Sequence, residues 1–195
     1  MKKSSRIALI CTAILCLTFI LGACNKTPAV QDEEQDITPA IQDEVQDVAP
    51  AIPDGYQTFD NGAISFAYPE GFINSDASIV LLVDGAGSGN NITVAYEVKT
   101  GIYANMTKES YIETYSALYT AMGMDVQIKE YEFLTNKNNL SIIKIVQDTI
   151  SMGIKMTQTQ YITDTEDLTY IVTVTEVIPD AELVQNVFDS LNVVK

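Results

Sequence analysis

The sequence predicts an α+β domain, an antiparallel β-sheet meander packed with two amphipathic helices, set behind a long polar spacer. Three observations carry the prediction. Between residues 126 and 177 apolar runs alternate with polar positions and are cut by short polar turns, the pattern of antiparallel strands. Residues 108–122 and 180–191 instead space their apolar residues three and four apart, as a helix lying on a core does. From residue 25 to residue 55 the chain is acidic, proline-punctuated and poor in large apolar residues, so it cannot bury enough surface to fold.

The chain begins with Lys2, Lys3 and Arg6, followed by an apolar run from Ile7 to Leu21 broken by Thr12 and Thr18. A basic start, an apolar stretch and small residues before a cut site make a secretory signal. The run is about 15 residues, short of the roughly 20 that cross a bilayer. It ends in Leu21-Gly22-Ala23-Cys24, which resembles the lipobox of bacterial lipoproteins. That resemblance implies a signal peptide over residues 1–23, cleavage before Cys24, and lipid on the Cys24 sulfur. The mature chain would then sit on the extracytoplasmic face of the cell membrane, held by that lipid. A buried methylene contributes about 0.8 kcal/mol, so one acyl chain holds marginally and several hold firmly.

Loss of Lys2, Lys3 and Arg6 would leave 8 basic residues against 26 acidic ones, moving the net charge from −15 to −18. Nucleic acid and anionic lipid headgroups are repelled by such a chain and are not expected partners. Cys11 and Cys16 fall in the signal, so the folded part has no disulfide and no thiol nucleophile. Histidine and tryptophan are absent throughout. Ser-His and Cys-His catalysis and histidine-ligated metal sites are thereby excluded.

Residues 24–55 form the spacer. Thr27-Pro28 and Thr38-Pro39 open two copies of an eleven-residue repeat, and Ala49-Pro50 opens a truncated third. Proline in every unit argues against a coiled coil, and one-signed charge extends the segment. As a flexible coil it would reach about 30 Å, and as polyproline helix about 95 Å.

Residues 56–195 number about 140, the size of one domain that buries about two-thirds of its unfolded surface. A hairpin is expected first, with strands at 56–59 and 63–68. Asn61-Gly62 is its turn, a pair that favours φ > 0 at both positions. Pro69 ends the second strand and Glu70-Gly71-Phe72 turns the chain. Residues 79–83 read as a buried strand and 92–98 as its partner. The glycine-rich stretch 84–91 between them lacks the Gly-Lys pattern and following helix of a phosphate cradle, and reads as a hairpin tip.

Thr107 is the expected N-cap of the 108–122 helix and Gly123 its stop. Ile112, Tyr115, Leu118, Tyr119 and Met122 would make its apolar stripe. Tyr111, Tyr115 and Tyr119 line up at i, i+4 and i+8. They offer either an aromatic ledge for a ligand or core packing with hydroxyls at the rim, the second being favoured. The exposed side of the helix bearing Tyr111 is the candidate contact surface, joined by residues 85–91 only if the fold brings the two together.

Strands follow at 126–134, 140–150, 154–163 and 168–177. In the last, Leu168, Tyr170, Val172 and Val174 alternate with Thr169, Thr173 and Thr175, an apolar face backed by a solvated one. Leu183, Val184, Val187, Phe188 and Leu191 form the stripe of the closing helix, which Pro179 precedes. Asn61-Gly-Ala-Ile-Ser-Phe-Ala-Tyr-Pro69 near the start and Val187-Phe-Asp-Ser-Leu-Asn-Val193 at the end resemble the termini of Mog1/PsbP-like domains. The resemblance implies an α+β sandwich, in a family whose members include GTPase partners, photosystem subunits and bacterial lipoproteins.

The chemistry left to such a chain rests on carboxylates, lysine, tyrosine and serine. Asp164, Glu166 and Asp167 on one turn are the weak candidates for a calcium site, without the spacing or glycine of an EF-hand loop. The reading is therefore a non-enzymatic binding or scaffolding module. It takes no cofactor and no metal, and its partner is an unidentified protein or small ligand. A carboxylate-based hydrolase or a calcium-dependent binding domain is the alternative.

Overall fold

In the computed structural model, which describes residues 52–74 and 80–194, the first turn is made by side-chain chemistry. Gly62 takes φ +81° and donates its amide to Asp60 Oδ1 at 2.7 Å. Asn61 keeps a negative φ, against expectation, and its Oδ1 accepts the amides of Ala63 and Ile64 at 3.0 and 2.9 Å. An asparagine side chain imitating the backbone removes the need for a second positive φ. The turn joins β1 (Tyr56–Asp60) to β2 (Ile64–Pro69), which pair antiparallel with Phe59 opposite Phe66. Both positive φ values occur instead at Met152 (52°) and Gly153 (79°), in a later hairpin that has no Asn-Gly cue.

Phe72, expected in a turn, opens the short strand β3 (Phe72–Asn74), paired with β4 (Val80–Asp84). In β4 only Leu82 is fully buried, because Leu81 and Val83 point to the opposite face from Leu82. β5 (Asn91–Val98) returns, and a 3-10 turn at Tyr103–Asn105 leads to α1 (Lys108–Ala121). The meander follows as β6 (Asp125–Thr135), β7 (Ser141–Ser151), β8 (Ile154–Asp164) and β9 (Leu168–Glu176). α2 (Ala181–Ser190) and the two-residue β10 (Asn192–Val193) close the chain.

These strands make two antiparallel sheets. One has the order β1-β2-β10 and the other β3-β4-β5-β9-β8-β7-β6. One face of the larger sheet presents Leu82, Ile92, Val94, Ile142, Tyr161, Val172 and Val174 to Ile64 and Phe66 of β2. Leu183, Val187 and Leu191 of α2 complete that core. The other face presents Ile145, Ile162 and Ile171 to α1, Tyr103 and Met106.

Two expectations fail here for one reason. β9 is covered on both faces, so Thr169, Thr173 and Thr175 are buried and not solvated. Two of the hydroxyls have partners inside the sheet: Thr169 donates to Asp164 Oδ1 at 2.6 Å, and Thr175 accepts from Gln158 Nε2 at 3.3 Å. α1 meets that face through Tyr111, Tyr115 and Tyr119, which are 3 to 5% exposed, while Ile112 is 40% exposed. The helix is rotated toward its tyrosine line because the polar sheet beneath offers those hydroxyls partners that an isoleucine could not use.

Candidate functional site

The register of the large sheet orders the face under α1 into rows. Phe133, Ile143, Ile162, Ile171 and Ala95 stand opposite one another across five strands. The next row, toward the β8–β9 turn, is Asp164, Thr169 and Glu97. On the other side of the aliphatic row, Gln147, Gln158, Thr175 and Asn91 align. A polar ladder runs through them from the helix. Tyr111 and Tyr119 hydroxyls lie 3.2 Å apart, Tyr119 donates to Gln147 Oε1 at 3.3 Å, and Gln147 Nε2 donates to Gln158 Oε1 at 2.8 Å. Buried amides and phenols satisfied in series fix the helix on the sheet.

After β5 the chain crosses this face. Lys99 donates its amide to Asp167 O at 2.9 Å and its ammonium to Thr165 O at 3.0 Å. Gly101 takes φ +66°, and its carbonyl accepts from Asn105 Nδ2 at 3.0 Å. Tyr131 donates its hydroxyl to Tyr103 O at 2.9 Å and holds the 3-10 turn against β6. Between that turn and the end of the β6–β7 hairpin lies an open cleft of about 480 Å³. Ile143 and Ile162 form its floor, Phe133 stands on one side, and Tyr103 and Ala104 stand on the other. Asp164, Thr169, Thr163 and Ser141 make its polar end.

Asp164 Oδ2 lies 3.8 Å from Lys99 Nζ, an ion pair too long to be a hydrogen bond. Burial raises the Glu97 carboxyl above its ordinary range; the Tyr103 hydroxyl that bonds it opposes this, and the nearby charge of Asp164 adds to it. Burial first, then the neighbouring Tyr115 and Glu97, push the Tyr103 phenol far up, so it stays neutral. Asp164 and Glu97 are separated by the Thr169 strand, roughly 10 Å across two strand spacings. Asp164 is the one carboxylate among the described residues lining the cleft. Thr169, itself buried in the sheet, is the hydroxyl that donates to that carboxylate, at 2.6 Å.

The structure scatters the residues that sequence singles out. Tyr111 and Tyr119 place their hydroxyls in the ladder and Tyr115 turns its hydroxyl to Tyr103; all three are buried under α1 and not at a rim, so Tyr111 is not on the exposed side of the helix. Asp164 reaches the cleft, whereas Glu166 and Asp167 are exposed on the turn beyond it. Among the described residues no three acidic, histidine or cysteine side chains gather as a metal would need. The 85–91 loop is fastened at two places: Gly85 donates to Gly71 O at 3.0 Å in the turn before β3, and Asn90 bonds Val177 and Ile178 on the approach to α2. Cys24, the signal segment and most of the spacer lie outside the described residues. Among the described residues, no helix is long and apolar enough to cross a membrane.

Tyr103, Phe133, Glu97 and Lys99 were not legible as site residues. Tyr103 and Lys99 lie in an irregular segment without periodicity, and Phe133 and Glu97 become neighbours of the cleft only through strand register. One signal was available: Gln147 and Thr149 interrupt an apolar face of β7 after Ile143 and Ile145, which marks a polar partner opposite.

No protein-family model matches the chain, and no curated protein matches it. Solved structures of similar outline include one from Bacteroides thetaiotaomicron VPI-5482, at TM-score 0.43 and 13% identity. That likeness covers 68% of this chain and 45% of the other, so this chain spans under half of its length. Pseudomonas aeruginosa PA94, of unknown function, gives TM-score 0.36 and 10% identity over 62% of this chain and 82% of that one. LpqN, involved in cell envelope biogenesis of Mycobacterium tuberculosis, gives TM-score 0.37 and 12% identity over 74% and 82%.

Proposed function

We propose that this chain is an extracytoplasmic lipoprotein whose α+β domain is a non-enzymatic binding module, carried on an acidic tether and anchored through lipid on Cys24. The observation that carries the binding half is the cleft beside Tyr103. It has an apolar floor, hydroxyls and a single lining carboxylate whose hydroxyl partner, Thr169, is buried and tied into the sheet, and it lacks a close carboxylate pair. The anchoring half rests on the Leu21-Gly22-Ala23-Cys24 motif and the apolar run before it. The Mog1/PsbP-like reading draws support from the way the chain's ends meet: β10 pairs with β2, and α2 packs on β2.

One experiment tests both halves. The full-length protein is expressed with a fatty-acid analogue, purified from detergent-solubilised membranes, and its co-purifying small molecules are extracted for mass spectrometry. Wild type is expected to carry the label and a bound species. Cys24→Ala should lose the label, and Ala104→Trp, placed on an exposed position of the cleft wall, should keep the label and lose the bound species. Equal labelling of Cys24→Ala overturns the anchor, and an unchanged extract from Ala104→Trp overturns the binding module.

A further inference from the structure

The two ends of the cleft differ in chemistry, and the difference selects a ligand. Ile143 and Ile162 lie flat on the sheet, and Phe133 is 60% exposed although its ring faces the same side. An exposed aromatic held against Tyr131, with ring centroids 5.9 Å apart, is apolar surface left uncovered beside a cavity. The volume, about 480 Å³, falls in the range of small-molecule sites.

At the polar end Asp164 is held but not saturated. Thr169 donates to Oδ1 at 2.6 Å, while the nearest cation, Lys99, stands 3.8 Å from Oδ2 and directs one of its three N–H donors to Thr165 O. A carboxylate accepts several hydrogen bonds, so Oδ2 retains capacity for a donor from the cleft. The surrounding charge is negative: Glu97 lies in the same sheet row, and Glu166 and Asp167 follow on the same turn. An anion would find no clamp. Arg6 is the only arginine of the chain, Lys99 is paired with Asp164 itself, and Lys137 in the β6–β7 turn is bound to Asp189 at 2.6 Å.

We propose that the cleft binds a small organic ammonium, its apolar body on Ile143, Ile162 and Phe133 and its cationic head hydrogen-bonded to Asp164. This deepens the binding-module reading and rests on it. The carboxylate supplies a charge-assisted hydrogen bond at the edge of an apolar floor, where it is stronger than in open water.

The test titrates the mature chain from Cys24, produced without lipid, with hexylammonium, hexan-1-ol and hexyl sulfate, followed by amide resonances. Hexylammonium is expected to shift Ala104, Phe133 and Ile143 and to bind at least about tenfold more tightly than hexan-1-ol, with hexyl sulfate weakest. In Asp164→Asn the hexylammonium affinity should fall to that of hexan-1-ol. Retained hexan-1-ol shifts at the same residues show that the cleft of this variant is intact. Ala104→Trp should abolish the shifts with both. Hexyl sulfate binding as tightly as hexylammonium, or hexylammonium affinity unchanged in Asp164→Asn, overturns the ammonium assignment and leaves the binding module standing. Shifts confined to other exposed apolar residues, such as Tyr96 and Val98, overturn the cleft as the site.

Discussion

Two buried asparagines do work that neither the apolar core nor the salt bridges could do. Asn136, at the start of the β6–β7 turn, donates from Nδ2 to Phe188 O at 2.9 Å and Leu191 O at 2.6 Å. Its Oδ1 accepts the amides of Asn138 and Leu140, both at 3.0 Å. Asn90 mirrors it at the other end of α2, accepting from the amides of Val177 and Ile178 and donating to Ile178 O. Each satisfies backbone groups at a helix approach or exit that would otherwise be buried without partners. Asn136→Ala strips carbonyls and amides together and should cost about 2–3 kcal/mol, the penalty of leaving such groups unmade. Asn139→Gly, three residues on at φ +58°, should be near neutral because glycine adopts that conformation freely. Urea unfolding checks the pair: the midpoint falls for Asn136→Ala at unchanged slope. A loss below about 1 kcal/mol would mean that water replaces the clamp. The exposed Lys99–Asp164 pair, at 3.8 Å, is not expected to rival either asparagine.

At the scale of elements, α1 shows what periodicity can and cannot decide. Its existence and limits were legible. Thr107 caps it, accepting the Ser110 amide at 3.2 Å and donating its own amide to Ser110 Oγ at 2.8 Å. Its rotation was not legible, because Tyr111-Tyr115-Tyr119 and Ile112-Tyr115-Tyr119 are equally good helical stripes. The choice depended on Gln147 and Gln158 in strands that sequence separates from the helix by about 30 to 40 residues. The β8–β9 turn and the meander were readable because turn residues and alternation are local. β3 and β10 were not, since strands of three and two residues take their identity from a neighbour. The cleft was illegible for the same reason, being assembled from β6, β7, β8 and a loop without period. The rotation can be measured. Ile112→Lys should change stability by less than about 0.5 kcal/mol, as surface substitutions do. Tyr115→Ala, which removes a ring tilted against Tyr111 with centroids 4.4 Å apart, should cost about 3–5 kcal/mol. Thermal unfolding in which Ile112→Lys is the more damaging would return the helix to the isoleucine stripe.

Taken whole, the molecule places tyrosine in both of its cores. Tyr103, Tyr111, Tyr115 and Tyr119 are buried between α1 and the sheet, and Tyr161 donates to Val184 O at 2.7 Å on the opposite face. Burial is the leading cause that raises the phenols of Tyr111, Tyr115, Tyr119 and Tyr161 above the ordinary value of 10.0, and it lifts that of Tyr131 to about 12. The folded state therefore keeps these protons at a pH where the unfolded chain has released them. Their contribution to stability is complete below pH 10 and is lost as pH rises through 10 toward 12 and beyond. Carboxylates act in the other direction. Lys129 holds the Asp148 carboxyl below its ordinary value of 3.8, so that contribution is present above pH 3.8 and is lost as pH falls further. Loss of lysine charge in the same alkaline range adds to the self-repulsion of the 26 acidic residues, so it is tyrosinate absorbance that identifies the tyrosine share of the loss. Tyrosinate absorbance of the buried set should appear together with the loss of near-ultraviolet circular dichroism, in one cooperative step above pH 10. Replacing Tyr131 by phenylalanine should move that step little, because the other raised phenols remain. Ionisation of Tyr111, Tyr115 and Tyr119 near pH 10 with the dichroism intact would show that water reaches the helix–sheet interface. The tyrosine line would then stand open as a ligand surface instead of serving as core.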